Sequence, residues 1–346
     1  MKLPPIAARG RGAIVRLVER IETLRRRLPS LPPLPGGLRP WITLVSLGFV
    51  LAALAAHGRQ LLQFRPDRQG WLWLVLAVGV SLLSLLANAA AQGVVLRWLG
   101  RRPRWGPLLA LYVATNLRKY LPGGIWHLVS RVTALRRPDA PLEAPASTAV
   151  ALLAVLLDPL LAAVAALAMV PLGGWQGGLA LLTPLPLLLL LPRWLDPLLR
   201  RMERRRARQL HLEQELGAAM PDPEVPLIGG YPWPPLLAEV VFVLLRFAGF
   251  ACCVWAFDLQ LATGWPTWLA GFLLAYAVGL VVPGAPGGLG VFEATLLLRL
   301  GVVLPEAPLL AVALSYRVVV TLADLLGAGL IALDARLAAL RPTPSQ

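Results

Sequence analysis

The chain has 346 residues, 57% of them hydrophobic, with a formal net charge of +15 and a mean hydropathy of +0.68. Soluble domains hold about 45–50% apolar residues, and long uninterrupted apolar runs mark membrane spans. No stretch joins enough length to the mixed composition of a soluble catalytic domain. The expected fold is therefore all-α, a polytopic helical membrane protein of about seven to eight spans with two broken or re-entrant helices. The positive charge does not imply nucleic acid, because cytoplasmic loops of membrane proteins collect Lys and Arg.

In chain order, residues 1–40 hold nine of the 33 basic residues. Ile14, Leu17, Val18, Ile21, Leu24 and Leu28 recur at helical spacing with arginines elsewhere, which predicts a basic amphipathic helix on a cytoplasmic leaflet. Pro29–Gly37 then reads as a stiff linker. Spans are predicted at 41–56, an uncleaved anchor, and at 71–96, 147–170, 178–192, 235–257, 264–282 and 307–335. Basic residues crowd 97–104, 131–137 and 193–208, whereas 171–177 and 258–263 hold none. That asymmetry predicts a cytoplasmic N-terminus, a membrane domain over 41–335, a cytoplasmic excursion at 193–233 and a short tail at 336–346.

The segment between 97–104 and 131–137 should enter the membrane and return to the same side. Trp105–Tyr120 is too short, at about 24 Å of helix, for a hydrocarbon core of about 30 Å. It also ends in charge: Asn116, Arg118 and Lys119 precede Tyr120-Leu121-Pro122-Gly123-Gly124. A second Pro-Gly-Gly stands at Pro286-Gly287-Gly288, followed by Gly290 and Glu293. Pro removes a backbone donor and Gly permits turns that other residues avoid. In hydrocarbon, broken backbone persists only where protein buries it or a watery cavity adjoins it. A helix restarting there presents free N–H groups to an anion. Paired broken helices in two halves of a chain point to a midplane binding site; helix packing alone is the plainer reading.

The stretches KYLPGGIWHLVSR and VPGAPGGLGVFE resemble the two signature stretches of the lysylphosphatidylglycerol synthase transmembrane-region family, over roughly residues 40–335. That resemblance implies lipid translocation between leaflets by about eight spans with re-entrant helices. The sequence carries no soluble aminoacyl-transferase domain after Arg336, so aminoacyl transfer is not expected of it.

Ionisable residues within spans are costly and face cavities or one another. Asp158, Glu239, Arg246, Arg317 and Asp324 are of this kind. Glu239 with Arg246, and Arg317 with Asp324, are seven apart and share a helix face, so the two helices are expected to close a four-charge network. Glu239 lies near a helix end, within reach of water. Arg118, Lys119 and Arg131 flank the first break and suit a lipid phosphate; snorkelling to the interface is the alternative. Glu293 suits helix-end electrostatics or, as the sharper role, contact with a cationic group or exchange of a proton. Asn88 and Gln92 read as glue between helices, His127 and the adjacent Cys252 and Cys253 as packing residues.

No nucleotide-binding loop, zinc motif or nucleophile elbow occurs, so no catalytic residue, metal or cofactor is assigned. The expected partners are membrane lipids with anionic headgroups and, as an open option, further copies of the chain. The expected location is the inner (plasma) membrane. A membrane-embedded lipid-modifying or glycosyl transferase using Glu293 or Asp158 as base, and a non-transporting scaffold, are the rival readings.

Overall fold

Uninterrupted apolar sequence makes helix the only open structure that satisfies its own backbone in lipid, and every regular element here is helical. The computed structural model describes residues 66–120, 126–173, 178–197, 200, 230–259, 263–282 and 286–340. The amphipathic segment 1–40, the 41–56 span and most of the 193–233 excursion lie outside them. So does the first Pro-Gly-Gly, at Pro122, Gly123 and Gly124.

The elements in order are α1 (Arg68–Trp98), α2 (Trp105–Asn116), a 3-10 turn (Leu117–Tyr120) and α3 (Trp126–Arg136). There follow α4 (Thr148–Met169), 3-10 segments Gly178–Leu182 and Leu185–Leu190, α5 (Trp233–Ala256) and α6 (Trp265–Val281). A 3-10 turn (Pro286–Gly288), α7 (Val291–Leu300) and α8 (Glu306–Leu340) complete them. Asp67 caps α1 by accepting from Gly70 N–H, and Ser147 caps α4 by accepting from Val150 N–H. Among the described residues, α1, α4 with its 3-10 extension, α5 and α8 are long and apolar enough to cross a membrane. The expected helix at 178–192 is corrected: Pro184 and Pro186 lack the donors an α-helix interior needs, and the chain takes 3-10 form instead.

Helix α4 is the central member, with 78% of its most apolar window buried, against 28% for α8. The outward faces are apolar too: Leu72, Val75, Leu298, Val302 and Leu330 are all exposed, as lipid rather than water demands. Helices α1 and α5 pack closely along their length, and a Cβ on Gly249 would stand 2.9 Å from Ser81 Oγ, the small-residue contact typical of membrane bundles. Phe250, Phe272, Phe292 and Tyr316 form an aromatic cluster joining α5, α6, α7 and α8, with ring centroids 5.1–6.3 Å apart. Cys252 and Cys253 are free and buried among these helices.

Short helices α2 and α3 leave one place and return to it. Arg104 N–H donates to Pro141 O at 2.9 Å and Glu143 N–H to Arg102 O at 3.0 Å. The two basic loops that bracket this excursion therefore lie side by side.

Candidate functional site

Tyr112, Thr115, Asn116 and Lys119 follow one another at i, i+3, i+4 and i+7, so the end of α2 and its 3-10 turn carry one polar stripe. The stripe meets Asp158, Arg246 and Asp324, each within two residues of the midpoint of α4, α5 or α8. Pro159 follows Asp158 directly and withholds one backbone donor inside α4.

Around Asp158 the polar atoms converge tightly. Asn88 Nδ2 donates to Oδ1 at 2.9 Å, and Tyr112 Oη lies 2.8 Å from Oδ2 and 2.6 Å from Asn88 Oδ1. Arg131 of α3 reaches the same carboxylate at 3.7 Å and lies over the Tyr112 ring, 3.4 Å from its centroid. Glu239 of α5 stands beside Asp158, is fully buried, and has no hydrogen-bond partner for either oxygen among the described residues. The expectation that Glu239 reaches water is thus corrected, because α1, α4 and α5 close over it.

Arg131 also links this cluster to the next. Its Nε and Nη2 donate to Thr115 Oγ1 and Asn116 Oδ1, both at 3.3 Å. Asn116 Nδ2 in turn donates to Asp324 Oδ1 at 2.8 Å. The other oxygen of Asp324 takes Lys119 Nζ at 2.6 Å and Tyr120 Oη at 2.7 Å. Arg131 is 4% exposed, so it does not snorkel. Arg118 is exposed and donates to Ser130 Oγ on α3, outside this network.

The second break is built around three positive-φ glycines, Gly287 (60°), Gly288 (71°) and Gly290 (80°). A Cβ at Gly288 would meet Gly279 O at 3.1 Å, so α6 and the turn touch through backbone. Glu293 reaches back to accept from Gly290 N–H at 2.7 Å, satisfying a free donor of α7. Its other oxygen takes Arg317 Nε at 2.6 Å. Arg317 also donates to Gly287 O at 2.5 Å and Gly288 O at 2.8 Å. One guanidinium thus closes the carbonyls that the break leaves open, as its rigid fork allows.

The end of the 3-10 turn after α2 lies against the second break. Tyr120 Cε1, at the entrance to the first, would lie 3.6 Å from a Cβ on Gly287 of the second.

Arg246 stands apart. It is 8% exposed, its Nε has no hydrogen-bond partner, and no carboxylate comes within 4.0 Å among the described residues. Its neighbours are aromatic or hydroxylic: the Phe242 ring, 5.5 Å from Cζ, with Tyr316, Tyr276 and Tyr120 around it, and the charge of Asp324 nearby.

Glu239 with Arg246 and Arg317 with Asp324 do not close the expected four-charge network. Their seven-residue spacing aligned each pair on one face, yet nearer partners on other helices claim the charges: Asp158 for Glu239, Glu293 for Arg317, Lys119 for Asp324. Asn88, Tyr112, Thr115 and Asn116 belong to the site as well. Asn88 is more than glue between helices, and the α2 stripe spacing was the available signal for the rest. Among the described residues no three of His, Cys, Asp and Glu converge as metal ligands.

A bundle whose described elements are all helical, with an apolar exterior and Asp158, Arg246 and Asp324 buried at mid-helix, defines a polytopic membrane protein with a polar interior. The family model for the lysylphosphatidylglycerol synthase TM region matches residues 40–327, and the chain belongs to that family. Among curated proteins none matches it.

Proposed function

We propose that the chain is a lipid translocator, moving a phospholipid or lipid-linked substrate between leaflets through the polar interior gathered among α2, α4, α5 and α8. The observation that carries this reading is Arg246: a buried cation without a carboxylate is costly, and an anionic headgroup supplies what it lacks. Lys119, Tyr120 and Asp324 lie on the same side of the network, so the site balances two cations against one acid before a ligand enters. Arg118, exposed beside the first break, receives the headgroup at the entrance. The hydrogen-bonded loops around Arg104 and Glu143 support a re-entrant path for α2 and α3, opening toward the cytoplasm. Membership of a family concerned with lipid supports the substrate class.

The test is reconstitution of the full chain into liposomes carrying a panel of fluorescent phospholipids. Wild type is expected to expose labelled lipid in the outer leaflet faster than empty vesicles, and Arg246→Met to abolish the difference. If no lipid of the panel moves faster than in empty vesicles, the reading fails. Lipid extracts from cells with and without the gene distinguish the transferase alternative, which predicts a missing lipid species rather than an altered leaflet distribution.

A further inference from the structure

Glu239 is fully buried beside Asp158 with neither oxygen hydrogen-bonded among the described residues, and two carboxyls held together away from water favour a proton on one of them. Asn88, Tyr112 and Arg131 all direct their donors to Asp158. Neither oxygen of Glu239 meets an N–H or O–H donor among the described residues, although the side chain is fully buried. Ionised, Glu239 is a bare anion beside a second anion, with Arg131 alone in ion-pair contact with the pair. Protonated, it leaves the cluster holding one negative and one positive charge.

The surroundings fit a site that gains and loses a proton. Facing the pair are Tyr112 on α2, Arg131 on α3, Tyr276 on α6 and the amide of Asn88 on α1, with Arg246 two turns along α5. The Gln92 amide is 2% exposed, and neither its nitrogen nor its oxygen has a partner. It lines a small cavity together with Tyr112 and Arg131.

We propose that the Asp158–Glu239 pair binds the proton that couples lipid movement to a transmembrane proton gradient, an inference that rests on the translocator reading. Arg131 connects the two events. It contacts Asp158 on one side and Asn116 on the other, and Asn116 holds Asp324 beside Lys119. An anionic headgroup at Arg246 and Lys119 competes with Asp324 for cationic partners and so shifts the same chain of contacts that ends at Asp158, beside Glu239. One proton taken from water onto Glu239, carried with one singly anionic lipid and returned to water on the other side, makes an electrically neutral step. No other bond is made or broken.

The experiment uses the full chain in phosphatidylcholine liposomes with trace fluorescent phosphatidylglycerol and an imposed gradient of one pH unit. One proton per lipid sets a steady leaflet ratio of about tenfold, since one pH unit equals one decade in an equilibrium constant. Wild type is expected to approach that ratio, and Glu239→Gln and Asp158→Asn to give a ratio of about one. A wild-type ratio of one, reached faster than in empty vesicles, overturns the coupling and leaves translocation standing. No movement above empty vesicles removes the translocator reading, and the coupling with it. Mass spectrometry after treatment with a hydrophobic carbodiimide, which modifies protonated carboxyls in apolar surroundings, reads the site without lipid movement. Label on Glu239 or Asp158 at neutral pH is expected; its absence from both overturns this pair as the proton site.

Discussion

Arg317 and Arg246 are both arginines in the middle of apolar helices, yet their surroundings give them opposite energetic signs. Arg317 donates to Glu293 and to two carbonyls of the broken turn. Lysine has the charge but not the fork, so Arg317→Lys loses at least one of these hydrogen bonds, at a cost of about 1 kcal/mol. The purified variant is expected to melt below wild type in detergent by static light scattering. Arg246 has no such partners, and its burial opposes folding. Arg246→Met is expected to melt at or above the wild-type temperature while losing lipid movement. A loss of stability in that variant comparable to Arg317→Lys would mean that Arg246 is structural.

At the scale of elements, the turn before α7 and the long face of α1 respond differently to an added methyl group. Gly288 has φ +71° and sits 3.1 Å, by its ideal Cβ, from Gly279 O. Gly288→Ala therefore meets left-handed strain of about 1–2 kcal/mol and a backbone contact that cannot give way. Gly79, in mid-α1 with nothing within 4 Å, is the control: Gly79→Ala gains about 0.5–1 kcal/mol of helix propensity. Opposite shifts in melting temperature are expected, and equal shifts would mean that the α6–α7 turn is not under backbone constraint. The α2 and α3 helices belong to this scale too. Their sequence reads as an element too short to cross, and their bracketing loops meet. That closure positions Tyr112, Asn116, Lys119 and Arg131 together, although they come from two short helices and a 3-10 turn.

At the scale of the molecule, the interior acids and bases Asp158, Arg131, Asp324 and Lys119 are linked through Asn116, and their energies should not add. Lys119 and Asp324 are 2.6 Å apart with side-chain exposures of 18% and 1%. Removing either partner alone strands a buried charge, at about 3–5 kcal/mol. The double variant Lys119→Met/Asp324→Asn strands none and is expected to be less destabilised than the sum of the singles by at least about 1 kcal/mol. Thermal unfolding of all four proteins in nanodiscs measures that coupling, and strict additivity would show that the ion pair is not buried in the membrane-embedded state.

Composition alone settled the solvent of this protein, since a chain so apolar satisfies its backbone in lipid only as helices. The second Pro-Gly-Gly motif likewise marked its break, at Gly287, Gly288 and Gly290, because missing donors and positive φ are local properties of Pro and Gly. Most mid-helix acids and bases, among them Asp158, Arg246 and Asp324, were legible for the same reason: charge in an apolar run stands out. What tertiary structure decided was the partnership of those charges. Helical spacing aligned Glu239 with Arg246 and Arg317 with Asp324, but periodicity says nothing about which neighbouring helix is nearer. Close packing of α4 against α5, and of α7 against α8, gave Glu239 to Asp158 and Arg317 to Glu293. Lys119 took Asp324 and Arg317 took Glu293, and among the described residues Arg246 has no carboxylate within 4.0 Å, a property of three-dimensional arrangement that no one-dimensional pattern contains.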